Sequence, residues 1–208
     1  MSISIPLTLR REASKEMNQA TSPGRVAVII GSTRPARICP GIAHWTREAL
    51  SADSPLRYDI IDLADVGLPF LDEPLKPALR DYEHEHTKAW SSLISGYHGF
   101  VFVFPQYNWG YPAPLKNALD FLYYEWRGKP VASVTYGTRG GGKGAGQIHQ
   151  VFEGLHMRPL ETRLEVVITD DQVDGDWQLT DLAATMRPYT KLIRQLDGEM
   201  VEALEDDQ

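Results

Sequence analysis

From Arg25 onward, short apolar, β-rich runs alternate with longer stretches whose apolar residues recur at helical spacing. That rhythm builds a parallel sheet covered by helices. Val26-Ala-Val-Ile-Ile30 is apolar without a break, as a central strand buried on both faces requires, and Gly31-Ser-Thr-Arg-Pro-Ala-Arg37 punctuates its end. A helix is predicted from near Pro40, with Ile42, Trp45, Ala49 and Leu50 at helical spacing and Ser51-Ala-Asp-Ser-Pro55 closing it. Arg57 to Leu63 reads as the second strand. Pro69, Pro74 and Pro77 leave Gly67 to Arg80 as a surface loop, and Glu83 to Tyr97 is the next helix. Gly99-Phe-Val-Phe-Val-Phe104 is the third strand, ended by Pro105. Further on, the pattern predicts a helix over Pro114 to Trp126, a strand over Pro130 to Val134, a helix over Gln147 to Leu155 and a fifth strand over Leu164 to Ile168. Asp181 to Leu204 is helical in pattern, with Pro188 expected to break or kink it early.

Five strands with intervening helices point to an α/β, flavodoxin-like fold: a five-stranded parallel sheet in the order 2-1-3-4-5 with helices on both faces. No repeat, low-complexity block or Gly/Ser linker divides the chain, so residues 25–208 are expected to form a single domain. Residues 1–24 mix Arg10, Arg11 and Lys15 with Glu12 and Glu16 and lack the apolar stretch of a secretory signal. They read as a flexible tail, with a weak organellar presequence as the alternative.

Composition narrows the function classes. Of 208 residues, 42% are hydrophobic and 10% aromatic, enough for one sizeable core. Asp and Glu number 28 against 21 Lys and Arg, a net charge of −7, the wrong sign for a nucleic-acid partner. The longest apolar runs fall far short of the roughly 20 residues of a membrane helix, so no membrane partner is expected. A single cysteine, Cys39, rules out an internal disulfide or a Cys-x-x-Cys motif and suggests a reducing, cytoplasmic setting.

In open parallel sheets ligands bind beyond the carboxyl ends of the strands, where strand order reverses. The loop after the first strand joins a buried strand to a helix N-terminus, whose free N–H groups and dipole favour an anion. Ser32 and Thr33 add hydroxyl donors, and Arg34 and Arg37 add forked positive charge in an otherwise acidic chain. The same residues also suit a plain turn in which Ser and Thr cap the helix and the arginines meet solvent or surface carboxylates. Only Gly31 of a Gly-x-Gly-x-x-Gly fingerprint is present, which favours a mononucleotide phosphate over a dinucleotide.

After the third strand, Pro105-Gln-Tyr-Asn-Trp-Gly-Tyr-Pro112 offers flat aromatic surfaces, the amide of Asn108 and exposed main chain, a set that suits a planar heteroaromatic ligand. Tyr107, Trp109 and Tyr111 serve equally well as core cover or a subunit contact. After the fourth strand, the glycines of Thr135-Tyr-Gly-Thr-Arg-Gly-Gly-Gly142 permit close approach of backbone to a ligand. Gly137 to Lys143 matches part of a nucleotide-triphosphatase loop, but Gly144 stands where Ser or Thr must ligate magnesium. His84 and His86 are two apart, do not share a helical face and form no credible metal site. Cys39 precedes a helix whose dipole could lower its pKa, yet no nearby His supports thiol chemistry.

Taken together, Gly31-Ser-Thr-Arg-Pro-Ala-Arg37, Pro105-Gln-Tyr-Asn108, Tyr111-Pro-Ala-Pro-Leu-Lys-Asn-Ala-Leu-Asp120 and Thr135-Tyr-Gly137 resemble the NADPH-dependent FMN reductase family. The resemblance runs over roughly Arg25 to Ile168. It extends to the fungal-type quinone reductases of that family through Pro105 to Pro112, Glu125-Trp126 and Gly128-Lys-Pro130. It implies noncovalent FMN, with Ser32, Thr33, Arg34 and Arg37 around the phosphate, Pro105, Gln106, Tyr107 and Asn108 beside the isoalloxazine, and Tyr136 and Gly137 at the ring's other edge. Many members carry Glu in place of Gln106 and a Gly pair in place of Ala113-Pro114, so main-chain contacts are the ones expected there. The resemblance further implies NADPH or NADH as hydride donor and, for Phe121, Leu122 and Tyr124, a partner surface in a homodimer or higher homo-oligomer; the alternative is that they face their own core. The acceptor class it implies is a quinone, with azo dyes, chromate, ferric species or free flavin open to the same reduced cofactor. The expected kinetics are ping-pong. A flavin-dependent redox-sensing or partner-binding module and a flavodoxin-type electron carrier are the other function classes this sequence suits.

Overall fold

Strand β1 (Arg25–Ile30) is buried from Val26 on, and its side chains divide between two cores. Val26, Val28 and Ile30 join one apolar cluster, and Ala27 and Ile29 join the other. β3 (Gly99–Pro105) is buried throughout and divides in the same way: Val101 and Val103 to the first face, Phe100, Phe102 and Phe104 to the second. A strand with both faces in apolar surroundings needs an unbroken apolar sequence, and these two have it. In the computed structural model, which describes residues 24–206, the tail expected over 1–24 lies outside the described residues except for Gly24.

Every named strand pair is parallel, in the order β2-β1-β3-β4-β5 with β6 also on β4. β2 is Arg57–Asp62 and β4 is Pro130–Gly137. The outer position beyond β4 is shared by two short pieces, β5 (Arg158–Pro159) and β6 (Leu164–Val167). The expected fifth strand is therefore β6, and a two-residue strand that the sequence did not announce precedes it.

Helices cover both faces. α1 (Cys39–Ser51) and the C-terminal α7 (Thr190–Glu205) pack Ile42, Ala43, Ile193 and Leu196 onto the first core. α3 (Glu85–Ser95), α4 (Ala113–Asp120) and α5 (Gly142–Gly154) bury Trp90, Ile94, Leu115, Leu119, Ile148 and Phe152 in the second. Pro188 ends α6 (Leu182–Met186) and sits in the single 3₁₀ turn that leads into α7, as its missing N–H demands.

Three boundaries differ from expectation by three residues or more. β4 continues to Gly137 because Thr135 and Tyr136 still pair with Phe104 and Pro105. α5 begins at Gly142, inside the glycine-rich run. α4 stops at Asp120, and the chain turns so that Phe121, Leu122 and Trp126, each at most 1% exposed, all reach their own core. Phe121 and Leu122 are thus removed from the suggested partner surface, while Tyr124 stays partly exposed at 36%. The Trp126 indole donates to the carbonyl of Leu119 at 3.1 Å and stands edge-on to Phe100, a geometry that an unbroken helix does not supply.

The proline-rich stretch after β2 is a strap with one helical turn at its start, α2 (Leu63–Val66), and a 3₁₀ turn at Pro77–Leu79. Asn117 pins it from α4, its amide donating to the Pro69 carbonyl at 2.7 Å while its oxygen accepts from the Leu71 N–H at 3.0 Å. His84 and His86 stack on each other, and His86 reaches Asp72 at 2.9 Å.

Candidate functional site

β1 feeds a helix on the first face and β3 feeds a helix on the second, so a crevice opens between their carboxyl ends. Arg34, Arg37, Pro105, Gln106, Tyr107, Tyr136 and Gly137 line one cleft there, together with Ala36, Ile38, Thr138, Ile168 and Trp177. Seven of the residues singled out from three separate loops meet at this point.

The loop after β1 starts with a glycine because nothing larger fits. A Cβ on Gly31 would lie 3.0 Å from Leu115 and 3.1 Å from Phe104, while the Gly31 N–H donates to the Val103 carbonyl at 2.8 Å. Ser32 is fully buried, and its hydroxyl lies 3.1 Å from that of Tyr107, linking the first loop to the third. Neither Ser32 nor Thr33 caps α1: the N-cap is Ile38, with no side-chain hydrogen bond, and Pro40 follows. Thr33 faces a neighbouring apolar groove lined by Leu63, Phe70 and Pro114.

The two arginines differ. Arg37 forms a two-pronged pair with Asp62, 2.7 Å on each arm, and also donates to the Ser32 carbonyl. The hydrogen bonds it donates to the Asp62 carboxylate hold its guanidinium above the usual arginine range. Arg34 is exposed and has no acidic partner among the described residues. It is the free charge of the loop, and Arg37 is the brace.

In the third loop the Tyr107 N–H and the Gly110 carbonyl are 2.9 Å apart and the reverse pair 2.8 Å, closing a tight two-residue turn. Asn108 and Trp109 at its tip have φ of 48° and 71°, the left-handed pair of a type I′ turn. Asparagine accepts that conformation; tryptophan rarely does. Asn108 stands at the tip and is absent from the cleft wall. The Gln106 side chain instead reaches sideways, its oxygen accepting from the Gly144 N–H at 2.9 Å. Gly144 must be a glycine for this contact, since a Cβ there would come within 3.2 Å of the Gly110 carbonyl oxygen.

β4 delivers Tyr136 and Gly137 to the floor. Tyr136 is buried, and burial pushes its hydroxyl pKa strongly upward, with Cys39 beside it adding to the effect. Cys39 is fully buried, its thiol donating to the Val103 carbonyl at 3.2 Å, and burial raises its pKa to about 11. Desolvation outweighs the helix dipole at this position, so the thiol is inert at neutral pH.

Trp177 had no signal in the sequence. It sits in the segment after β6, where the Asp174 carboxylate accepts from the Asp176 and Gln178 N–H groups and Val173 bridges Leu179. That small turn holds Trp177 at φ 60° against the cleft. No described helix is long and apolar enough to cross a membrane.

A free arginine beside an uncapped helix start, aromatic side chains and open strand-end main chain come together at the reversal point of a doubly wound sheet, where such sheets receive their ligands. The chain belongs to the NADPH-dependent FMN reductase family, whose family model matches residues 25–168. An NAD(P)H-dependent FMN reductase of Schizosaccharomyces pombe is 47% identical over 151 residues, covering 72% of this chain and 76% of the relative. A probable NADPH:quinone oxidoreductase of rice, Oryza sativa subsp. japonica, is 32% identical over 165 residues, covering 76% and 82%. Among solved structures, the flavoenzyme NAD(P)H:(acceptor) oxidoreductase FerB of Paracoccus denitrificans shares the fold with a TM-score of 0.65 at 20% identity, covering 88% of this chain and 98% of that one.

Proposed function

We propose that this protein is an FMN-dependent oxidoreductase that takes hydride from NADPH or NADH and passes it to a quinone or a similar small acceptor by a ping-pong mechanism. The observation that carries the reading is the convergence of Arg34, Tyr107, Tyr136 and Gly137 on one cleft at the carboxyl edge of the sheet. Bound FMN supplies the two-electron chemistry, and the protein orients and screens it. Arg34 takes the terminal phosphate, and Arg37, clamped by Asp62, holds the loop in the receiving shape. Ser32 and Thr33 belong to the same loop. The main chain of 105–108 together with residues 136 and 137 would hold the isoalloxazine, and Trp177 lines the same cleft. No acid, base or nucleophile is assigned, in keeping with a buried, protonated Cys39.

The chain has no separate dinucleotide fingerprint, so donor and acceptor use one flavin face in turn. Azo dyes, chromate, ferric species and free flavin are candidate acceptors on the same ground. A homodimer in a reducing, cytoplasmic setting belongs to this reading, as does one domain over residues 25–208, and a solution mass of twice the chain checks the assembly. The deciding experiment is the absorbance spectrum of the purified protein with FMN, followed by NADPH without air and then a quinone. Bleaching by NADPH, recovery with quinone and parallel double-reciprocal lines are expected; intersecting lines reject the shared face.

A further inference from the structure

A second hollow lies beside the flavin cleft and shares its Gln106 wall. It is bordered by Trp109, Arg139, Lys143 and Glu165, with Gly142 at its base. We propose that this hollow recognises the phosphorylated adenosine end of NADPH, with Arg139 and Lys143 taking the 2′-phosphate and Trp109 supplying a face for the adenine. The inference rests on reading the adjoining cleft as the flavin site.

Four observations support it. Arg139 and Lys143 are both exposed, and neither has a hydrogen-bond or ion-pair partner among the described residues. In a chain of net charge −7, two cations without a carboxylate partner on one wall make a local field that favours a dianion. The Lys143 Nζ lies over the Trp109 ring, 5.7 Å from its centroid, so an aromatic surface and a cation stand side by side in this hollow. Trp109 is 62% exposed at φ 71°, a conformation that costs energy for a large side chain and contributes little burial in return.

Position supplies the rest. A donor with its nicotinamide over the flavin must run its adenosine half out of the cleft, and Gln106, fixed by the Gly144 N–H, borders both the cleft and this hollow. The chain lacks the glycine fingerprint by which other folds hold a dinucleotide through its main chain, so side-chain charge takes that part. Glu165 is the one carboxylate in the wall. Its oxygens lie over Gly142, where a Cβ would come within 2.5 Å of Oε2. It forms no ion pair with either cation and opposes the phosphate, which makes its effect a sign test.

The test is calorimetric binding of adenosine 2′,5′-bisphosphate and of 5′-AMP to the FMN-loaded protein, compared with an Arg139→Ala/Lys143→Ala double variant and with Glu165→Gln. Two charge-assisted contacts on an open surface should make the bisphosphate about tenfold tighter than AMP. The double variant should lose that margin while keeping its FMN affinity and its NADH-driven turnover, and Glu165→Gln should widen it. Equal affinity for the two nucleotides in the unaltered protein, or an unchanged margin in the double variant, overturns the proposal. If bisphosphate binding keeps its margin but the unaltered protein takes up no FMN, the cleft reading is overturned and the donor role of this hollow goes with it.

Discussion

Arg37 and Asp62 meet in a two-pronged ion pair, Nη1 on Oδ1 and Nη2 on Oδ2 at 2.7 Å each, that ties the loop after β1 to the end of β2. The side chains are only 15% and 14% exposed, so losing one partner strands a charge. Asp62 also caps α2 by accepting from the Ala64 N–H at 3.0 Å. Asp62→Ala is expected to lower stability by about 2–4 kcal/mol and to weaken FMN binding. Thermal melts with and without FMN check both.

Arg34→Ala separates charge from architecture. With no partner to lose, the variant should melt where the parent does, while its FMN dissociation constant rises about tenfold or more. Arg37→Ala should lower the melting temperature as well as the affinity. Flavin-fluorescence titration of the two variants distinguishes the free charge from the brace.

Gly141 has φ 99°, and a Cβ on it would lie 2.8 Å from both Cβ and Oγ1 of Thr135. Gly141→Ala should cost about 2–4 kcal/mol and disturb the floor of the cleft. Gly146, exposed in α5 with nothing within 4 Å, is the control. Gly146→Ala should stabilise by about 0.5–1 kcal/mol with unchanged FMN binding, as read from urea midpoints.

Trp109→Gly removes a large side chain from the left-handed region. Relief of strain set against the entropy of glycine should leave stability level or raise it by up to about 1 kcal/mol. KM for NADPH should rise in the same variant. A loss of stability without a change in KM would mean that Trp109 is a structural residue.

Cys39 has a pH signature. Its folded pKa of about 11 lies above the ordinary thiol value, so the unfolded chain releases this proton first as pH climbs. The native state then holds more protons than the unfolded one. The contribution is whole below about pH 9 and is lost as pH rises through about 11. Cys39→Ala should flatten the decline in stability over that interval by up to one proton's worth, measured as urea midpoints at pH 8, 10 and 11. The native thiol should also resist alkylation at pH 8, and Cys39→Ser should keep reductase activity.

β1 and β3 were legible because continuous burial demands continuous apolar sequence, and the switch-point rule then led to three loops that line one cleft. The stop of α4 at Asp120 was hidden because Phe121, Leu122 and Trp126 continue an apolar pattern, and only the space beneath α3 decides that they turn inward. The early start of α5 was masked by glycines of low helix propensity, whose first turn is held by tertiary contact: the Gly144 N–H donates to the Gln106 side-chain oxygen. Arg37 and Arg34 look alike as letters, and their division into brace and free charge depends on Asp62, 25 residues away, at the end of the adjacent strand. Trp177 reaches the cleft through tertiary packing alone, so no local pattern marks it.

The outer boundary formed by β5 and β6 has one more effect. An open sheet presents hydrogen-bonding groups along each margin, and a long flat margin invites another copy to add itself strand by strand. Here one margin is split into pieces of two and four residues, with Pro159, which has no N–H to offer, in the shorter piece. The opposite margin, β2, carries Arg57, Asp59 and Asp62. Among the described residues, growth of the sheet into fibres is thus discouraged on both sides.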